Sequence, residues 1–243
     1  MTDRPPADAP PLEPLVESLV TQLRTMRDAE RDLFGGLDAA IRDRAMRPND
    51  WSPKDHQAHL TAWKGRQANR IRAVREGEAF PTDDREDDVI NAELQALRAD
   101  WRWEAIAAEA DEVSEGLISE VRAAGGQLLL DSNRLVGGIF GNGPFHAATH
   151  FGWLLEGGIG MDAARVAAFM DAEVRLLAST DLPDADRGTG LYNIACTHAL
   201  AGRLDRARPL LRDAFRLRPD LAEWATQDSD LVSLRGEIAS LAT

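Results

Sequence analysis

The sequence predicts an all-α protein, an up-and-down antiparallel helix bundle followed by a small helical extension, and three observations carry that prediction. Apolar residues recur at three- and four-residue spacing through most of the 243 residues. Capping residues, prolines and glycines cut the pattern into long segments with short connections. No convincing run alternates apolar and polar residues as a half-buried strand would. Hydrophobic residues make up 44% and charged residues 28%, a globular balance that argues against wholesale disorder.

Leu12, Leu15, Val16, Leu19, Leu23, Met26, Leu33, Leu37 and Ile41 mark a first helix that ends before Pro48. Gly35 and Gly36 lie inside it, each costing about 1 kcal/mol relative to alanine, and allow a local bend. A second helix opens at Ser52-Pro53-Lys54-Asp55 and runs to about Glu76. Ser52 is a good N-cap, Pro53 suits the first helical position, and Asp55 sits at the positive end of the helix dipole. A third helix covers roughly Arg85 to Ala124 and stops at Gly125-Gly126. From Gln127 to Phe140 two readings stand: Leu128 to Leu130 as a short strand, or an irregular connection favoured by Gly137 and Gly138. A fourth helix starts at Asn142-Gly143-Pro144 and breaks near Gly157, and a fifth runs from about Met161 to Leu177. Long helices with short loops imply antiparallel neighbours.

The expected organisation is a flexible lead over residues 1–11, the bundle over 12–178, a linker over 179–187 and a helical module over 188–243. In that module Ile194, Ala195, His198, Gly202, Leu204, Ala207, Leu211, Ala214 and Pro219 fall at the spacing of one 34-residue tetratricopeptide repeat. Asp220 to Leu241 adds one or two more helices. A single repeat cannot bury its own face, so it must pack on the bundle, on its terminal helices or on a partner.

The net charge is −13 and the sequence pI about 4.8, which disfavours nucleic acid and anionic membranes. The charge is local: Glu76 to Glu120 holds 15 acidic and 3 basic residues, whereas Lys54 to Arg75 holds 6 basic and 1 acidic. Neighbouring helices with attracting flanks are one consequence, a solvated face the other. The proline-rich start, Met1 to Pro14, lacks a basic segment followed by an apolar run and does not read as a signal peptide. No apolar stretch approaches the ~20 residues of a membrane-spanning helix. One cysteine, Cys196, excludes an intrachain disulfide framework, and a cytoplasmic location is the simplest expectation.

Three histidines carry the candidate chemistry. His146 and His150, four apart on the fourth helix, project from one face, and His59 on the second can reach them across a bundle core. Neutral imidazole binds first-row transition metals, although a His-x-x-x-His pair also arises by chance. His56 reads as a peripheral neighbour, His198 as a packing residue of the repeat, and Cys196 as a buried helix residue. Trp63, Trp101, Trp103 and Trp153 read either as core or as a stacking wall for a planar ligand, with Trp153 the best placed to wall a pocket. Trp51 staples the start of the second helix. Asp87, Asp88 and Asn91 either cap a helix on a solvated acidic face or line the pocket.

The segment Trp51-Ser52-Pro53-Lys54-Asp55-His56-Gln57-Ala58-His59-Leu60-Thr61-Ala62-Trp63 resembles the second-helix signature of the DinB-like superfamily, in its ClbS/DfsB branch. Asp88-Val89-Ile90-Asn91 is similar to the family's start of helix three, and Phe145-His146-Ala147-Ala148-Thr149-His150 to its late histidine pair. The resemblance covers roughly Leu12 to Leu177. It implies a four-helix bundle with a metal-binding histidine triad, here His59, His146 and His150, holding nickel or zinc. Beside that triad, the pocket candidates are Trp63, Asp88, Asn91 and Trp153. Relatives include thiol S-transferases, a thiol-dependent isomerase and a hydrolase that opens a strained ring in a genotoxic metabolite. The implied activity is therefore a metal-dependent transferase or hydrolase for small electrophiles in stress or toxin resistance, with a low-molecular-weight thiol as a second cofactor. A different class of function is a non-enzymatic interaction protein whose tetratricopeptide-like tail docks a partner. Homodimerisation is compatible with both.

Overall fold

The computed structural model describes residues 12–45, 51–132 and 134–242. The described residues form an all-helical structure with no strand among them. The expected lead over residues 1–11 lies outside them.

Helix α1 (Leu12–Gly35) presents Leu15, Leu19, Leu23 and Met26, all at most 1% exposed, along one stripe. The helix stops at Gly35 rather than bending there. The short α2 (Ala39–Arg42) is a separate turn, capped by Asp38, whose carboxylate accepts from the Ala40 N–H at 2.8 Å. Helix α3 (Pro53–Arg75) begins with a reciprocal capping box. The Asp55 N–H donates to Ser52 Oγ at 3.3 Å, and the Ser52 N–H donates to Asp55 Oδ2 at 2.9 Å. Proline at its first position completes the expected start.

The single long third helix is corrected to two: α4 (Asp87–Ala96) and α5 (Trp103–Asp131). Arg98 makes the corner, its Nε and Nη2 each donating to Glu109 at 2.7 Å, so the end of α4 is tied back onto the flank of α5. The expected stop falls at Gly125, where the backbone leaves helical conformation, and a further helical segment follows directly. Gly125 takes φ +69°, a conformation open to glycine at little cost, and beyond this break the chain is helical again to Asp131. Leu128 to Leu130 is therefore helix, with Leu129 in the core, and α6 (Leu135–Gly141) follows. Helix α7 (Pro144–Glu156) again starts on a proline, and α8 (Ala163–Leu177) is capped by Asp162.

Helix α1 packs on α3, α5, α7 and α8, and α3 packs along α5. The attraction suggested by the charge pattern is realised between α3 and α5: Arg72 and Arg75 pair with Glu120 at 2.8 and 3.2 Å. No helix among the described residues is long and apolar enough to cross a membrane.

Helix α9 (Asp184–Leu200) starts inside the stretch read as a linker and pairs with α10 (Leu204–Leu217). Beyond them lie α11 (Leu221–Ala225), a 3-10 helix (Ser229–Glu237) and α12 (Ile238–Leu241). Ala195, Ala207 and Ala214 are fully buried, as close approach of paired helices requires. Helix α9 also packs on α6, α7, α8 and the 3-10 helix, so its remaining faces are covered within the chain. Gly190 permits the contact with α7, because a Cβ there would fall inside the Phe145 ring. Gly190→Ala is expected to destabilise the protein by about 1–3 kcal/mol, read from urea unfolding, through overpacking rather than backbone strain.

Candidate metal centre

The capped start of α3 fixes His59 a little under two turns into the helix, and α7 carries His146 and His150 one turn apart. Because α3 and α7 pack together, the three rings meet. One ring nitrogen from each lies within 4.8 Å of the other two, and this group can hold a metal ion. Nε2 of His59 and Nε2 of His146 are 3.0 Å apart. Two imidazole ligands of a tetrahedral zinc, each at 2.0–2.1 Å, stand about 3.3 Å apart, so these two rings are already close to a ligating separation. His59 is 8% and His150 2% exposed.

The electrostatics favour ligation. Burial, then the neighbouring rings of His146 and His56, push His59 down to about 3. Burial, then the nearby Lys64 ammonium, push His146 down to about 4. Burial and the rings of His146, His56 and His59 hold His150 well below its ordinary value. All three are therefore neutral at pH 7, with lone pairs available and little competition from protons.

A cavity of about 300 Å3 opens beside the rings, walled by Trp51, Trp63, Asp87, Asn91, Asn142 and Trp153 among others. Trp63 and Trp153 thus stand at the wall rather than wholly in the core, and Trp153 packs on His150 with ring centres 4.8 Å apart. The indole N–H of Trp63 donates to Asn91 Oδ1 at 2.9 Å, which fixes that amide at the cavity. Asp88 is corrected: both acids are exposed, but it is Asp87 that lines this cavity. Asp87 and Asn91 are one helical turn apart and share a face, whereas Asp88 is rotated about 100° from Asp87. Trp101 and Trp103 are not part of the wall; Trp103 packs beneath the Arg42 guanidinium, 4.9 Å from the ring centre.

Two site residues carry more than their sequence reading. Trp51 does more than staple a helix: its ring centre lies 4.7 Å from that of His59, and its indole N–H donates to Gln95 of α4 at 2.9 Å. His56 is no peripheral neighbour, since its Nδ1 lies 2.6 Å from Nδ1 of His150. Behind the rings sits a buried polar network that the sequence reading missed. Lys64 Nζ bonds both oxygens of Glu30 at 2.7 Å, and Arg27 and Gln57 also donate to Glu30. The available signal was Gln57, Thr61 and Lys64, a polar stripe at core spacing on α3.

A second group, Cys196, Asp228 and Asp230, also brings three donor atoms within 4.8 Å. Its carboxylate is already engaged: Asp228 accepts from the Tyr192 hydroxyl at 2.6 Å and from the Asp230 N–H at 2.9 Å. Burial, then the neighbouring Asp228 and Asp230, hold the Cys196 thiol far above its ordinary value, so it is a poor nucleophile. His198 is 5% exposed within α9, in keeping with a packing role. The chain matches no protein-family profile, no curated protein and no solved structure.

Proposed function

We propose that the chain is a DinB-like, metal-dependent transferase or hydrolase for small electrophiles, with α1, α3, α5 and α7 as its four-helix bundle and α9–α10 as a tetratricopeptide-like brace. The convergence of His59, His146 and His150 beside an aromatic cavity carries this reading. Three neutral imidazoles suit zinc or nickel and leave coordination positions at which a bound thiol or water becomes acidic. The chain's own part is positioning and exclusion of water. Trp51 and Trp153 cover the rings, and Asn91, held by Trp63, offers a fixed amide at the wall. The competing reading, a docking module, has in its favour Trp224, which is 60% exposed on α11.

Full-length protein purified without chelator is expected to carry about one divalent ion per chain by elemental analysis. Adding zinc at about 100 times its Kd is expected to stabilise the fold by about 2.7 kcal/mol. His146→Ala is expected to abolish both effects. If the purified chain takes up no ion, or His146→Ala leaves uptake and melting unchanged, the reading fails.

A further inference from the structure

Among the three rings of the candidate centre, only His150 has its remote nitrogen engaged. Nδ1 of His59 and Nδ1 of His146 are buried without a hydrogen-bond partner, whereas Nδ1 of His150 meets Nδ1 of His56 at 2.6 Å. Two bare nitrogens repel at that distance, and so would two N–H groups, so the pair shares a single proton. The nitrogen that His150 has left for an ion is Nε2, which must then be bare. A neutral imidazole carries one N–H, so the proton of His150 sits on Nδ1 and is donated to His56. That arrangement requires a neutral His56 with its own proton on Nε2.

We propose that His56 is the positioning residue of this centre, accepting the Nδ1 proton of His150 and committing that ring to bind an ion through Nε2. The inference rests on the metal-binding reading above and adds a residue outside the triad. His56 suits the task because it is rigid. It lies in the first turn of the capped helix α3, its N–H donating to the Ser52 carbonyl at 3.0 Å. The His56 ring meets that of His150 nearly at right angles, at 74°, with Trp51 edge-on to it. It is 7% exposed, so water cannot readily replace it as the acceptor. An acceptor on the remote nitrogen fixes ring orientation and raises the basicity of the ligating nitrogen, and its removal costs about 10–100-fold in metal affinity.

The test uses the full chain, with Co2+ as the affinity probe read by chelator competition. His56→Phe keeps the ring volume and removes the acceptor. His56→Asn places an amide oxygen where Nδ1 stood and can accept the same proton. His56→Phe is expected to weaken Co2+ binding about 10–100-fold and His56→Asn to stay within about threefold of the parent. Nitrogen-15 spectra of the zinc-loaded parent are expected to show His150 protonated at Nδ1 and metal-shifted at Nε2. Those spectra and His56→Asn decide the matter if His56→Phe does not fold. Equal losses in both variants, no loss in either, or zinc on Nδ1 of His150 would overturn the proposal. If the parent takes up no Co2+, the metal reading and this one fall together. If the parent binds and His56 proves indifferent, only this one falls.

Discussion

Glu30→Leu is expected to destabilise the protein by about 3–5 kcal/mol at pH 7, whereas Lys64→Met costs clearly less and the double variant recovers most of the loss. The asymmetry follows from who else is bonded. Both residues are fully buried, and Lys64 Nζ lies 2.7 Å from each Glu30 oxygen. Removing Lys64 leaves Glu30 with Arg27 at 3.1 Å and Gln57 at 3.2 Å. Removing Glu30 strands a buried ammonium whose described hydrogen bonds all go to that carboxylate. Burial already pushes the Lys64 pKa down, and once Glu30 is gone the more distant Asp111 is left to oppose that pressure. Lys64 then has to shed its proton to remain inside, so the penalty of Glu30→Leu shrinks as pH rises toward 10. Arg27 survives either change, since its Nε and Nη2 still hold Asp111 at 2.8 and 2.6 Å. Urea unfolding of the four proteins in the cycle measures the coupling. Single losses both below about 1 kcal/mol would show that the network contributes nothing net. Because the Lys64 ammonium helps to depress His146, Lys64→Met is also expected to raise the His146 pKa from about 4 toward its ordinary value.

The helices themselves were legible because their boundaries rest on local chemistry. Ser52, Pro53 and Asp55 start α3 through a capping box, and Pro144 starts α7, with no tertiary partner required. The break between α4 and α5 was not legible, because it rests on Arg98 reaching Glu109 across the corner, a contact that periodicity does not encode. The helical segment beyond the third helix was not legible for a related reason. Gly125 breaks the helix as the glycine pair signals, but the helix that resumes beyond it rests on burial of Leu129 and packing against α6. At the site, the i, i+4 spacing of His146 and His150 placed them on one face, and that face turned out to meet His59. What the spacing could not give was the role of His56. Three residues from His59, it lies near the same face of α3, and only the side-chain geometry separates a nitrogen facing an ion from one facing another ring. Which of Asp87 and Asp88 lines the cavity was not legible, since it hangs on the phase of a short helix whose start the sequence placed at Arg85.

Glu173→Gln is expected to raise stability by about 1–3 kcal/mol at pH 8 and to have little effect near pH 5. Glu173 on α8 is fully buried, and neither of its carboxylate oxygens has a hydrogen-bond partner. Burial alone pushes its pKa up from 4.5 to about 8. Between those values the unfolded chain releases a proton that the folded chain keeps, so the stabilising effect of the neutral carboxyl is complete below 4.5 and lost as pH rises through about 8. The full shift corresponds to at most about 5 kcal/mol, from which the glutamine variant recovers only part because its amide would still be buried unpaired. The histidines act in the opposite sense. With folded values pushed down to about 3 for His59 and about 4 for His146, they bind protons more readily unfolded, and stability falls as pH drops below about 6.5. Two limbs of different origin follow: an acid limb set by the rings and an alkaline limb set by α8. Melting curves from pH 4 to 9 separate them, since Glu173→Gln is expected to flatten only the alkaline side. Zinc, bound at the rings, is expected to deepen the acid limb, because protons then compete with the ion as well as with the fold. Should Glu173→Gln lower stability equally at pH 5 and pH 8, the carboxylate is charged and partnered in solution, and the alkaline limb has another source.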